Sequence, residues 1–160
     1  IKAPIKNAMR NSMFNPSQFI VRTSICKDVG GCDERIKFSQ EYSLTLKLAK
    51  LGNFLKLNYP LAILPKKAPG QISEKKNNQI YRVSKALEYF LEDNPQLDAK
   101  YRLYAQKRLT ARAWRFARRF KKASIFSKWF FLYLKGIFNV NNEIIKNCRE
   151  ANKVYEDFLD

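Results

Sequence analysis

Residues Lys27–Gly52 read KDVGGCDERIKFSQEYSLTLKLAKLG. This run holds a glycine pair, an acidic pair and the start of a helix, and what is built on either side of it decides the fold. Gly30-Gly31 breaks the chain, because adjacent glycines accept φ > 0 at little steric cost. Ser39 has the chemistry of an N-cap. Gln40 and Glu41 follow in the first turn, where a carboxylate complements the helix dipole. Leu44, Leu48 and Leu51 recur at helical spacing and Gly52 is a natural stop, so the pattern predicts a helix over Gln40–Leu51.

Upstream, FIVRTSI (Phe19–Ile25) is rich in β-branched and aromatic residues and reads as a short strand or a buried extended segment. Asn15-Pro16-Ser17 before it is turn chemistry. Downstream, NFLKLN (Asn53–Asn58) alternates as a strand does, and YPLAILP (Tyr59–Pro65) reads as a second extended run. KKAPGQIS (Lys66–Ser73) is a loop, and Ser73 stands where it would cap another helix. Ile80, Val83, Leu87, Phe90 and Leu91 form that helix's apolar stripe, and Asn94-Pro95 ends it.

The 160 residues suffice for one domain, or one domain with an appendage. A hydrophobic content of 46% with 14% aromatics supports a packed core and argues against disorder. The formal net charge of +17 implies an anionic partner: nucleic acid, acidic lipid or a phosphorylated substrate. The surplus is regional, since every charged residue between Asp98 and Glu143 is Lys or Arg. Tyr101–Lys122 reads as a basic amphipathic helix with Leu109, Ala113, Phe116 and Phe120 on one face. Arg108, Arg112, Arg115, Arg119 and Lys122 line the adjacent arc. Ala123–Phe138 is apolar but interrupted by Lys128 and Lys135, and it is shorter than the ~20 residues that span a bilayer. An interfacial or packed helix is expected there. Asn141–Asp160 reads as a last amphipathic helix with Ile144, Ile145, Cys148, Ala151, Tyr155 and Leu159 inward.

The chain has no histidine and three cysteines. That excludes Ser-His-Asp and Cys-His machinery and leaves general-base work to a carboxylate. The cysteine spacing makes no zinc site and no disulfide framework. A reducing compartment is expected, with Cys26 and Cys32 as small buried hydrophobes.

The ordered set Gly30-Gly31, Asp33-Glu34, Gln40-Glu41, Tyr42, Leu44, Leu46, Leu48-Ala49 and Gly52 resembles a segment of family-two glycosyltransferases, GGFDE…ED-Y-x-L-x-L-R-L-A-x-x-G. NPSQFIVRTSI before it looks like the family's strand with an Arg, here Arg22. YPLAILPKKAPGQIS after it is similar to a stretch of the same family, and the resemblance covers about Asn11–Ser73. It implies an α/β fold: the C-terminal, acceptor-side part of a Rossmann-like GT-A domain over residues 1–97, mostly helical in this part. A basic amphipathic helical tail over 98–160 would follow. It also implies inverting transfer of a sugar from a nucleotide-sugar donor to a hydroxyl acceptor, as in the synthesis of cell-surface polysaccharide or glycolipid. Glu41 is then the general base with Gln40 beside it. Asp33, Glu34 and Arg22 shape the acceptor cleft, and Lys66 and Lys67 lie near the donor diphosphate. Arg22 reads equally as an ion-pair partner for Asp33 or Glu34.

Two departures stand out: Gln-Glu replaces the family's Glu-Asp, and no Asp-x-Asp occurs. With a chain that opens on Ile1 and has no signal-peptide pattern, this gives the expectation of a fragment, inactive alone. The donor half and its Mg or Mn would lie upstream, and this chain itself would hold no metal. The tail adds a partner. Nine basic residues and no acidic one in Tyr101–Lys122 suit an anionic membrane surface, with Arg108, Arg112, Arg115, Arg119, Trp129 and Phe130 as docking residues. The protein is then expected in the cytoplasm, peripheral on the inner membrane face. The rival readings are a nucleic-acid-binding module, in which basic and aromatic residues interleave, and a membrane-binding module without catalysis.

Overall fold

The computed structural model describes residues 1–36, 39–60, 62–63, 76–139 and 143–158. Among these, every regular element is helical and no strand or sheet forms. The expected α/β, Rossmann-like GT-A architecture is therefore corrected to an all-helical one. Phe19–Arg22 is extended, but from Thr23 the chain is helical. Asn53–Asn58 is irregular, as are the described residues of Tyr59–Pro65. The reason is physical: alternation makes a strand only where a neighbouring strand satisfies its backbone and a core receives one face. Leu55 and Leu57, which would form that face, are 88% and 52% exposed. The backbone pairing found here joins Phe54 to Ile1, whose carbonyl accepts the Phe54 N–H at 3.1 Å, and goes no further.

The chain divides into two compact units, Ile1–Ala86 and Leu87–Asp160. In the first, α1 (Ile5–Arg10) packs on α3 (Gln40–Leu51), and α2 (Thr23–Asp28) lies between them in sequence. Tyr42 is 1% exposed and donates its hydroxyl to the Met9 carbonyl at 2.8 Å, which pins α1 to α3. The helix is not the one-sided amphipath of the sequence reading. Tyr42 through Leu46 are all buried, whereas Leu51 is 59% exposed. A helix covered on most sides must satisfy its own polar groups. Thr45 Oγ1 donates to the Glu41 carbonyl at 2.6 Å and Ser43 Oγ to that of Gln40 at 2.7 Å. Phe14 stacks on Phe19 at 4.1 Å and tilts against Phe54, holding the extended segments together.

The boundary between the units falls within α4 (Lys76–Glu92), which carries Leu87, Phe90 and Leu91 into the second core. Asn94 Nδ2 donates to the Phe90 carbonyl at 2.7 Å and closes the helix before Pro95. The second unit is organised on α5 (Ala99–Phe120), against which α6 (Lys128–Ile137) and α7 (Ile144–Asn152) pack. Leu109, Ala113, Phe116 and Ala117 are buried on α5; Phe116 meets Tyr155 edge-on at 4.8 Å, and Trp114 meets Phe130 at 5.1 Å. Buried Glu88 accepts a hydrogen bond from Asn152, and Arg149 ion-pairs with Glu92 beside it. Cys148 is buried there, and desolvation drives its thiol far above the ordinary range. Cys26 is half-buried and Cys32 exposed, so the expected burial of that pair is corrected.

The α5–α6 approach is set by one glycine. A Cβ on Gly136 would lie 2.3 Å from Thr110 Oγ1 and 3.1 Å from the Lys107 Cα. Only the absence of a side chain lets the backbone of α6 lie on α5 at this depth. Gly136→Ala will therefore cost about 1–3 kcal/mol from overpacking, despite alanine's better helix propensity. Urea denaturation will read that loss, and Thr110→Ala in the same chain will recover part of it.

Candidate functional site

The glycine pair ends α2 in a Schellman motif. The Gly31 N–H bonds the Cys26 carbonyl at 2.9 Å and the Gly30 N–H that of Lys27 at 2.8 Å, with Gly30 at φ +70° and Gly31 at φ +58°. The glycines thus stop a helix that the strand reading did not anticipate, and they send the chain toward Asp33 at the side of α3. The Asp33 N–H donates to Ser43 Oγ at 3.1 Å. Lys47, one turn further along the same face of α3, donates Nζ to the Gly31 carbonyl at 3.0 Å. The turn is held on α3 from both ends.

Asp33 is 8% exposed, and Arg35 engages its carboxylate fully. The Arg35 Nη2 lies 2.7 Å from Oδ2, and the Arg35 Nε (2.9 Å) and backbone N–H (3.0 Å) reach Oδ1. These hydrogen bonds hold the carboxyl below its usual range against the opposing effect of burial, and Lys47 helps. Asp33 is thus committed to Arg35. Arg22, expected as its ion-pair partner or in a cleft, is exposed at the N-cap position of α2, and the ion-pair expectation is corrected. Glu34 is exposed.

Glu41 is half-buried in the first turn of α3, beside half-buried Gln40. Among the described residues no ion pair reaches its carboxylate. Its charge is felt at Cys32, where burial raises the thiol first, Cys26 and Glu41 raise it further, and Lys47 opposes them. Glu41, Cys32, Lys47 and the Asp33–Arg35 pair therefore belong to one electrostatic neighbourhood. Ser39 takes the N-cap position of the helix as expected, but at φ +62° and without a side-chain cap bond, so its capping chemistry alone is corrected. The left-handed backbone takes its place, and the Ser39 carbonyl accepts the Tyr42 N–H at 3.0 Å.

Lys66 and Lys67 lie outside the described residues. A shallow depression of about 260 Å³ is lined by Asn7, Arg10, Asn11, Ser12 and Met13, none of them an expected cleft residue. Among the described residues no group of three or more acidic or cysteine side chains gathers that could hold a metal ion. On the basic tail, Arg115 and Arg119 are exposed, while Arg108 and Arg112 are half-buried. Trp129 is flanked by Lys121 and Lys128 at 5.0 and 5.2 Å, and half-buried Phe130 rests on Trp114. No described helix is long and apolar enough to cross a membrane.

Sequence reading missed Arg35, Ser43 and Lys47. Lys47 carried a signal, because it occupies the place of the Arg in the quoted family segment. Arg35 carried a weaker one, two residues after an acid. No family model matches the chain, and no curated protein or solved structure matches it.

Two outcomes follow from this geometry. A side chain at Gly30 meets nothing within 4 Å, so the cost of Gly30→Ala is conformational, about 1 kcal/mol in denaturant unfolding. Asp33 has a depressed native pKa, so its stabilising contribution is present above the ordinary carboxylate value of about 4 and is lost as pH falls through the lower native value. Arg35 is 44% exposed, so solvent screens the pair. Asp33→Asn will lower stability by about 1 kcal/mol at neutral pH. It will also flatten the fall in stability below about pH 4, read by urea titrations across pH.

Proposed function

We propose that the chain is the acceptor-side portion of an inverting glycosyltransferase that moves a sugar from a nucleotide-sugar donor to a hydroxyl acceptor, with Glu41 as the general base. The observation that carries this reading is the contrast between two neighbouring carboxylates: Asp33 is neutralised by Arg35, whereas Glu41 stands half-exposed on the first turn of a helix fixed by its buried neighbours. A sugar hydroxyl attacks well only when its proton has a place to go. As the acceptor oxygen bonds to the anomeric carbon, its proton passes to the Glu41 carboxylate. The bond from that carbon to the nucleotide diphosphate breaks, the diphosphate leaves with the electron pair, and the anomeric centre inverts. Lys47 and the Asp33–Arg35 pair position the turn beside this base. The motif's chemistry alone is carried over, not the sheet that the described residues lack. The donor and its ion are held, in this reading, by residues other than these. The surplus of cations supports a reading in which this work is done at an anionic membrane surface, on its cytoplasmic side.

In the full-length protein, supplied with nucleotide-sugars and a soluble hydroxyl acceptor, Glu41→Gln will lower kcat by about 10²–10⁴-fold and abolish the limb of the pH profile that reports the base. Glu41→Asp will retain more activity, and urea denaturation will show both variants folded. Unchanged sugar transfer by Glu41→Gln removes the base assignment.

A further inference from the structure

The turn joining α5 to α6 is built, exposed and apolar at its tip. Lys122 adopts φ +48° where α5 ends, and the Ala123 N–H returns to the Ala117 carbonyl at 3.1 Å. The Ser124 carbonyl accepts the Ser127 N–H at 3.0 Å and Ser124 Oγ the Phe126 N–H at 3.3 Å. These bonds fix a tight corner whose tip presents Ile125 at 56% and Phe126 at 81% exposure. Phe120, ending α5, and Phe131, in the first turn of α6, are exposed as well. Arg119, Lys121, Lys122 and Lys128 flank this apolar tip in sequence, with Arg119, Lys122 and Lys128 exposed and Lys121 half-buried. Lys121 and Lys128 each lie over the half-buried Trp129 ring. Among the described residues, Glu150 feels Lys128, but only after its own partner Lys153.

We infer that this corner is a lipid anchor: Ile125 and Phe126 insert between the headgroups of an anionic bilayer while the flanking cations sit at its phosphates. Exposed apolar side chains at the tip of a hydrogen-bonded turn lose water on insertion and add no large ordering cost, because the turn is already made. The cations supply the charge complementarity, each contributing at an anionic surface. A second copy of the chain does not fit the corner, since it would set like charges against each other. A nucleic acid would use the cations but leave the aliphatic Ile125 without a stacking partner. The inference rests on the membrane part of the proposed function and not on Glu41. It also moves docking from the arc of α5, where Arg108 and Arg112 are half-buried, to the end of the helix.

The test is co-sedimentation of the full chain with phosphatidylcholine vesicles and with equimolar phosphatidylcholine–phosphatidylglycerol vesicles. The wild type binds the anionic vesicles, binds the neutral ones weakly, and is released by salt. Ile125→Ser with Phe126→Ser lowers the anionic partition coefficient about tenfold or more. Lys121→Gln, Lys122→Gln and Lys128→Gln together lower it on the order of a hundredfold. Circular dichroism and thermal unfolding show these surface variants folded. The inference is overturned if the wild type ignores anionic vesicles, if the serine pair binds them as tightly as wild type, or if the cations bind a single-stranded oligonucleotide in preference to vesicles. Sugar transfer to a soluble acceptor reads Glu41 without vesicles, so either assignment can fall while the other stands.

Discussion

Carboxylates are scarce in this chain, 14 against 31 lysines and arginines, and that shortage constrains the structure. Much of the described acid is taken up locally: Asp33 by Arg35, Glu92 by Arg149, Asp98 by Lys100, Glu143 by Lys146, Glu150 by Lys153, and buried Glu88 by the Asn152 amide. Most of these pairs are solvent-exposed and contribute little stability. Their effect is on what is left over. From Arg102 to Lys135 the cations have no acid within their own stretch of sequence, and several of them lie over aromatic rings instead. Arg118 over Trp114, Arg119 over Phe120, and Lys121 and Lys128 over Trp129 are such contacts. A ring face holds a cation near an apolar surface without cancelling its charge, so the charge remains available to an anionic partner.

The same shortage separates Glu41 from its neighbours. A carboxylate tied into a bidentate guanidinium contact has its lone pairs engaged and its charge offset, and it makes a poor acceptor for a substrate proton. Asp33 is in that state and serves the architecture: with the Ser43 hydroxyl and the Lys47 ammonium it fastens the Gly30-Gly31 turn to α3. Glu41 differs by location. Its carbonyl is engaged by Thr45 inside the helix, which fixes the backbone and leaves the side chain to the half-exposed side. Glu41 is thus mounted on a helix whose packing fixes its backbone.

How much of this was legible depends on the range of each interaction. The span Gln40–Leu51, the stop of α4 at Asn94-Pro95 and the basic helix after Asp98 rest on local signals that the fold keeps. Phe19–Ile25 and Asn53–Asn58 carried local strand signals, but a strand is completed by a partner elsewhere in the chain, and none forms among the described residues. The glycine pair reads correctly as a break in left-handed backbone, but the sequence does not show that what it breaks is a helix. φ > 0 serves a hairpin and a helix C-terminus alike, and only the Cys26 and Lys27 carbonyls that accept the glycine N–H groups distinguish them. The Arg35 pairing and the close approach at Gly136 were invisible for a related reason: each is a distance between groups, and residue type does not encode it.

The tail shows how packing redistributes a pattern that sequence presents as uniform. A helical wheel gives Arg108, Arg112, Arg115 and Arg119 one arc and equal standing. With α6 lying on α5 at Gly136, Arg108 and Arg112 are half-buried while Arg115 and Arg119 stay exposed. The apolar residues divide in the same way. Leu132 is buried and Phe130 is packed against Trp114, whereas Ile125 and Phe126 lie beyond both helices, on a turn closed by its own serines. The depth of one helix–helix contact thus decides which cations and which apolar side chains share an open surface. That surface is the corner, where exposed apolar side chains and cations stand together.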